Sequence, residues 1–330
     1  MIALAIESTA HTFSVAVVND KGKILSNIKD MYQTESGGII PIQAAKHHLE
    51  LGNEIIQKAI QQANIKESQI DIVAFSQGPG LPPCLVAGKK FAHELSLKLK
   101  KPLIPVNHLI SHLEIGLLTS KMKDPVFILA TGANTQIIAY EGKKYRIFGE
   151  CLSIGIGNAL DKFGRAINLG FPAGPKIEQL ALSGKYIELP YSVKGMDVEF
   201  SGIITQAINL YKKGAKKEDL CFSLQETCFS MLTEVAERAL AHTDKKELLL
   251  IGGVAANKRL SQMLEIMCKE RKCKFSVVPL EFCGDNGAMI AWNGIQQYQV
   301  KKIKFSESAT KALDINPNYR IDDIEVFWKD

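Results

Sequence analysis

The feature that most constrains the fold is an order of segments that occurs twice along the chain. Three apolar runs, Ile2 to Ile6, Phe13 to Val18 and Ile24 to Ile28, read as strands, the last two joined by the turn Asn19-Asp20-Lys21-Gly22. A helical stretch from Ile42 to Ala63, strand Ile72 to Phe75, the loop GPGLPP, helix Cys84 to Leu99 and strand Leu103 to Val106 follow. The order then restarts. Strands Val126 to Ala130, Gln136 to Tyr140 and Tyr145 to Phe148 are separated by the turns Thr131 to Thr135 and Glu141-Gly142. Helices come next around Asn158 to Leu169, Lys176 to Ser183, Thr205 to Lys212 and Asp219 to His242. Strand Leu248 to Ile251 leads to Gly252-Gly253 and a helix, and strand Phe275 to Val278 leads to Gly284-Asp285 and a last long helix. The two copies share almost no sequence, so the likeness is one of order. It predicts an α/β protein of two similar halves with a cleft between them, where ligands usually sit.

A chain of 330 residues fits two domains comfortably. The expected division is a first lobe over 1–123, a second over 124–299, and a tail over 300–330 that packs back on the first lobe. With 46% hydrophobic and 23% charged residues, the chain has the make-up of a soluble globular protein. Its longest apolar runs are strand length, far below the roughly 20 residues of a membrane span. No basic segment or cleavage site precedes the first strand, so a cytoplasmic location is expected. The seven cysteines are odd in number and nowhere spaced as C-x-x-C, which points to reduced, mostly buried thiols. A net charge of +5 permits an anionic partner without requiring one. Lysine clusters such as Lys98 to Lys101 and Lys269 to Lys274 suit a solvated face, and aromatic residues make up only 7%, so composition does not show nucleic-acid binding.

His108 and His112 stand four apart in VNHLISHLEIG. On a helix that spacing stacks both rings on one face, close enough to share a metal; the alternative is a pair of capping or core histidines. Two histidines cannot close a site. Asp285, after Gly284 and at the opening of a helix, is the best third ligand, the alternative being an ordinary helix N-cap. Glu114 falls on the wrong side of a regular helix. His47 and His48 are adjacent, point to different faces, and read as surface or structural residues, with substrate contact as the alternative. Three turns could cradle phosphate: Thr131-Gly132-Ala133-Asn134-Thr135 at a strand end, Gly252-Gly253 before a helix whose first turn holds Asn257, and Gly155 to Asn158 with Asp161. Each alone is more often a tight turn. Three together favour a nucleotide site.

Taken in order, IESTAHT, SQGPGLPP, VNHLISHLEIG, TGANTQIIAY, SIGIGNALDKFG, VKGMDVEFSG, SLQETCFSMLTEVAERALAHT, IGGVAANKRL and FCGDNGAMIAW closely resemble the universal tRNA threonylcarbamoyl-adenosine transferases, formerly described as O-sialoglycoprotein endopeptidases. The resemblance spans nearly the whole chain and is of the archaeal type, like the catalytic subunit of the KEOPS complex. It implies an actin-like ATPase fold with two duplicated lobes. The implied reaction moves a threonylcarbamoyl group from threonylcarbamoyl-AMP to the N6 amine of the adenosine beside the anticodon, in tRNAs reading codons that begin with A. It further implies a divalent metal, iron or zinc, on the catalytic residues His108, His112 and Asp285. The implied nucleotide and substrate pocket comprises Thr131, Gly132, Asn134, Thr135, Asp161, Gly174, Glu178, Gly253 and Asn257. The nucleotide is threonylcarbamoyl-AMP or ATP/AMP, and the partners are tRNA, a kinase-like ATPase, a small dimerising subunit and a further accessory subunit, with no membrane.

The chain departs from the family's pattern at Ala133 for glycine, Leu129 for tyrosine, Ser153 for aspartate, Ala173 for glycine, Pro82 for glycine, Val86 for arginine and Ser111 for a smaller residue. The second reading is therefore a diverged member serving as a nucleotide- or tRNA-binding scaffold subunit. A metalloprotease is disfavoured, because the histidine pair lacks the glutamate of H-E-x-x-H. A sugar kinase of the same fold is disfavoured because its phosphoryl-transfer aspartate motif is not evident.

Overall fold

The computed structural model describes residues 1–34 and 38–329. In chain order the elements are β1 (Ile2–Glu7), β2 (Thr12–Asn19), β3 (Ile24–Met31), α1 (Pro41–Gln62), β4 (Ile72–Gly78), α2 (Pro82–Leu99), β5 (Leu103–Asn107) and α3 (His108–Ser120). Then come β6 (Val126–Ala130), β7 (Thr135–Glu141), β8 (Lys144–Glu150), α4 (Ile156–Ala166), α5 (Gly174–Ala181), β9 (Val193–Lys194), β10 (Asp197–Val198), α6 (Ser201–Lys212) and α7 (Lys217–Thr243). The last are β11 (Glu247–Ile251), α8 (Lys258–Glu270), β12 (Lys274–Val277), α9 (Leu280–Cys283), α10 (Gly287–Lys301) and α11 (Glu307–Ala312).

Two five-stranded sheets form, ordered β3-β2-β1-β4-β5 and β8-β7-β6-β11-β12. In each, the first strand of the repeat pairs antiparallel with the second and parallel with the fourth, and the fourth and fifth are parallel. The duplicated order expected from sequence is thus a duplicated topology. The small β9–β10 hairpin was not expected, because two-residue strands carry no readable period.

The chain divides into two compact units. The first comprises Met1–Leu118, Lys143–Tyr145 and Asp285–Asp330, and the second Thr119–Gly142 and Arg146–Gly284. α10 therefore belongs with the first unit, although sequence order assigned it to the second lobe. The reason is written in β1, β2 and β4. Alternate residues point to opposite faces of a strand. Leu4, Ile6, Val15, Val17, Val73 and Phe75 join a core with Ile55, Ile56, Phe91 and Leu95 of α1 and α2. The intervening positions carry alanine: Ala5 pairs with Ala16 on one side and Ala74 on the other. α10 approaches this alanine row closely. A Cβ on Gly287 would come within 2.6 Å of the Ala16 nitrogen, and one on Gly294 within 2.7 Å of the Ala74 Cβ. Glycines two turns apart thus seat α10 against the sheet. The Gly287 amide also donates to Ser14 Oγ at 2.9 Å.

The tail is tied into the same unit. Asn316 donates its amide to the Gln77 carbonyl at 2.8 Å, and the Gly80 amide donates to the Pro317 carbonyl at 3.2 Å. Glu114, buried on α3, accepts from Trp328 Nε1 at 3.0 Å, Tyr145 Oη at 2.6 Å and Gln296 Nε2 at 2.8 Å. It serves packing, away from the His108 and His112 group.

Candidate metal centre and adenylate pocket

β5 runs directly into α3, so His108 opens the helix. Asn107 caps it, accepting from the Ile110 amide at 3.0 Å, while Ser111 Oγ donates back to the Asn107 carbonyl at 2.8 Å. Ser111, one of the departures, thus reinforces the helix start. The two imidazoles meet edge to face with centroids 4.7 Å apart. Asp285 Oδ1 lies 3.4 Å from Nε2 of each histidine. One ligand atom from each of the three residues can be chosen so that all lie within 4.8 Å of one another.

Asp285 reaches this position because it is not a helix cap. α9 intervenes between β12 and Gly284, and Asn286 caps α10 by accepting from the Met289 amide at 3.1 Å. The carboxylate next to it is left to face the histidines. Asn286→Ala is expected to cost about 1 kcal/mol of unfolding free energy, the usual value of a lost N-cap. Denaturant titration checks this, and an unchanged midpoint would refute the capping assignment.

Burial works against charge at His108, but the carboxylates of Glu7 and Asp285 outweigh it and push this imidazole up to about 9. Burial holds His112 below its ordinary value despite Asp285. Asp285 is held well below the usual carboxylate range: burial opposes this, and His108 and His112 overcome it. Neither ring nitrogen of His112 has a hydrogen-bond partner among the described residues, and the ring is fully buried. A buried imidazole with two unsatisfied nitrogens requires an explanation. Two imidazoles and a carboxylate converging on one point fit a divalent ion such as iron or zinc, in which histidine and carboxylate ligands are common.

Sequence reasoning did not single out Glu7. It ends the apolar strand IALAIE, is fully buried, and accepts from His108 Nδ1 at 3.0 Å. A lone glutamate closing a buried strand was the available signal. Thr9 holds the same carboxylate through its amide, at 2.7 Å, and its hydroxyl.

His47 and His48 do not point apart as expected, since their Nδ1 atoms lie 3.3 Å from one another. His47 Nε2 contacts Asp30 Oδ1 at 2.8 Å, and buried His48 donates Nε2–H to the Ala10 carbonyl at 2.9 Å. Burial lowers the His48 pKa. The unfolded chain therefore takes up a proton near pH 6.5 that the folded chain resists, and stability present above 6.5 falls as pH drops below it. His108, raised, stays protonated in the folded chain over this range and adds a slope of opposite sign, which wild type and His48→Gln share. In thermal unfolding between pH 7.5 and 5.5, wild type is expected to lose more than His48→Gln. Equal losses would refute a neutral His48.

In the second unit the nine residues expected to form a nucleotide pocket lie on or beside three turns. The loop after β6 is closed on itself: Thr131 donates its amide to the Asn134 carbonyl at 2.8 Å, and Asn134 donates its amide to Thr131 Oγ1 at 2.9 Å. Thr135 Oγ1 accepts from the Ile156 amide at 2.8 Å. The hydroxyls of Thr131 and Thr135 therefore face backbone. Gly132 and Ala133 are exposed, with Asn134 between them and β7. The turn at Gly155 is a buttress and not a separate anion cradle. The first amides of α4 are consumed by the loop, Gly157 donating to the Thr131 carbonyl at 3.1 Å and Asn158 to the Gly132 carbonyl at 2.9 Å. A Cβ on Gly155 would meet the Ala133 carbonyl carbon at 2.5 Å. A Cβ on Gly252, which has φ +100, would meet the Ala130 carbonyl oxygen at 2.3 Å.

Asp161 Oδ1 accepts from the Ala173 amide at 2.7 Å, setting Gly174 at the start of α5, and Glu178 Oε1 accepts from the Lys258 amide at 2.8 Å. Asn257 precedes α8 as its N-cap instead of lying in its first turn: its Oδ1 accepts from Arg259 and Leu260, and its Nδ2 donates to Gln225 at 2.7 Å. Gly253 is exposed at the turn before it.

The other departures are accommodated locally. Leu129 and Ala173 are fully buried, Pro82 begins α2, Ser153 donates to Glu199, and Val86 is exposed.

The family model described as TsaD: tRNA N6-adenosine threonylcarbamoyltransferase matches residues 23–292. The tRNA N6-adenosine threonylcarbamoyltransferase of Thermococcus sibiricus is 51% identical over 330 residues, covering 99% of this chain and 100% of that protein. That of Thermococcus kodakarensis is 49% identical with the same coverage. A Methanocaldococcus jannaschii protein named "Probable bifunctional tRNA threonylcarbamoyladenosine biosynthesis protein" is 50% identical over 99% of this chain and 60% of its own length. Among solved structures, T. kodakarensis HypF superposes with a TM-score of 0.62 at 15% identity, over 90% of this chain and 48% of that one. An activator of 2-hydroxyisocaproyl-CoA dehydratase from Clostridium difficile gives 0.52 at 12%, over 96% and 99%. At these identities the structures speak to fold alone, the two-lobed actin-like ATPase class.

Proposed function

The chain belongs to the tRNA N6-adenosine threonylcarbamoyltransferase family, and on that premise we propose that it transfers the threonylcarbamoyl group of threonylcarbamoyl-AMP to the N6 amine of the adenosine beside the anticodon, in tRNAs reading codons that begin with A. The observation that carries this reading to particular residues is the meeting of buried His108 and His112 with half-buried Asp285. In the transfer the amine nitrogen bonds to the carbamoyl carbon, the bond from that carbon to the phosphate oxygen breaks, and AMP leaves while the amine gives up a proton. The amine is a poor nucleophile and the mixed anhydride a good leaving group, so charge stabilisation at the carbonyl governs the rate. A divalent ion, iron or zinc, held by His108, His112 and Asp285 would supply Lewis acidity toward the carbonyl or substrate oxygens.

The chain's own groups bind and orient. The exposed backbone at Gly132 and Ala133, with the Asn134 side chain, takes the phosphate, where small residues allow close approach. Thr131 and Thr135 hold that loop in shape. Asp161, Gly174, Glu178 and Gly253 line the nucleoside side, and Asn257 acts through the turn it caps. The target base leaves its stack at lower cost in an anticodon loop than in a duplex. The chain works in the cytoplasm as the catalytic subunit of a KEOPS-like complex, with a kinase-like ATPase, a small dimerising subunit and an accessory subunit. No helix of the described residues is long and apolar enough to cross a membrane.

The test is incubation of the full chain with those subunits, threonylcarbamoyl-AMP and cognate tRNA, followed by nucleoside analysis. Threonylcarbamoyl-adenosine is the expected product. Its absence, with AMP and tRNA still bound, would favour the scaffold reading.

A further inference from the structure

The Glu7 carboxylate is asked for two acceptors by two donors that cannot trade places. Its Oε1 takes the Thr9 amide at 2.7 Å, a backbone N–H with no freedom to turn away. Its Oε2 takes His108 Nδ1 at 3.0 Å. The Thr9 hydroxyl also donates to Oε1, which fixes the carboxylate further, and stands 3.3 Å from His108 Nδ1. All three residues are buried within the first unit. His112 has no such anchor, since neither of its nitrogens is bonded. The two histidines are therefore unequal: both lie 3.4 Å from Asp285 Oδ1, but only His108 is also clamped through a second carboxylate at its other nitrogen.

We propose that Glu7, locked by Thr9, is a positioning residue that holds the Nδ1–H of His108 and so keeps Nε2 as the nitrogen turned toward Asp285 and His112. This rests on the metal reading of the triad. A histidine ligand is aimed by whatever accepts from its other nitrogen, and loss of that partner commonly weakens metal affinity 10–100-fold. Glutamine in place of Glu7 has the same shape but a single acceptor oxygen. Turned toward Thr9, it sets its NH2 against His108 Nδ1, favouring a proton on Nε2, where the ion would bind. Turned toward His108, it sets two donors against each other at the Thr9 amide. Neither orientation satisfies both neighbours, so an isosteric change removes the clamp.

The experiment uses the full chain with Co²⁺ as the probe, followed by its absorption spectrum, in wild type, Glu7→Gln and Thr9→Ser. Glu7→Gln is expected to raise the Co²⁺ Kd about 10–100-fold, while Thr9→Ser, which keeps amide and hydroxyl, stays at the wild-type value. A Glu7→Gln Kd within threefold of wild type would overturn the proposal. Should that variant not fold, Thr9→Val removes one anchor of the carboxylate and is expected to raise the Kd several-fold; no change there overturns it equally. Proton NMR of the metal-free chain, with ¹⁵N-labelled histidine, is expected to show a protected Nδ1–H of His108 that Glu7→Gln abolishes, and its persistence would overturn the clamp. A wild type that binds no Co²⁺ yet shows this resonance would sink the metal reading and leave the clamp standing.

Discussion

His112→Ala is expected to abolish threonylcarbamoyl-adenosine formation while leaving the chain folded. The loss should reach about 3 kcal/mol of transition-state stabilisation, roughly a hundredfold or more in kcat/KM. The reason lies in the asymmetry of the site. His112 is fully buried, neither ring nitrogen makes a hydrogen bond, and its one polar contact is Asp285 Oδ1 at 3.4 Å from Nε2. Removing it gives up little beyond that contact and leaves a modest cavity beside α3. A variant that kept wild-type product would refute any role of the triad. His47→Ala, whose ring binds Asp30, serves as the control and should retain activity.

Gly157→Ala is expected to have the second largest effect, confined to nucleotide binding. A Cβ there would lie 2.8 Å from Gly132 Cα and from the Thr131 carbonyl oxygen, both backbone atoms that cannot rotate aside. Either α4 or the phosphate-facing loop must move, and overpacking of this kind costs about 1–3 kcal/mol. If the loop yields, AMP affinity by calorimetry should fall about tenfold or more, since each 1.4 kcal/mol is a factor of ten. Gly202→Ala, where a Cβ meets nothing within 4 Å, should bind AMP like wild type. Equal affinities in all three proteins would show that the loop after β6 does not set the nucleotide site.

Much of the fold was legible because it is periodic. Apolar strands and the break at Asn19 to Gly22 announced the first sheet, and the restart at Val126 announced the second. What escaped depends on contacts distant in sequence. The place of α10 turns on Gly287 and Gly294 meeting Ala16 and Ala74, and no local pattern in α10 announces partners more than 200 residues away. Helix spacing made His108 and His112 visible, because their relation is local. Asp285 was legible as the best third ligand, with a helix cap as the alternative, and the finding that Asn286 is the cap explains why Asp285 is available. Glu7 was overlooked because a glutamate ending a strand looks like a solvent-facing residue until α3 is packed beside it. Asn257 shows the converse: it was read in the first turn of the helix after Gly252-Gly253, whereas it precedes that helix as its cap, with its side chain bonded to Arg259, Leu260 and Gln225.

The most direct test of the central claim, that His108, His112 and Asp285 hold an ion on which transfer depends, is the transfer reaction run with chelator-stripped protein and repeated after adding back Fe²⁺ or Zn²⁺. The expected result is no modified adenosine from stripped protein and recovery with the ion in wild type but not in Asp285→Ala. Full product from protein shown to be free of metal would contradict the account.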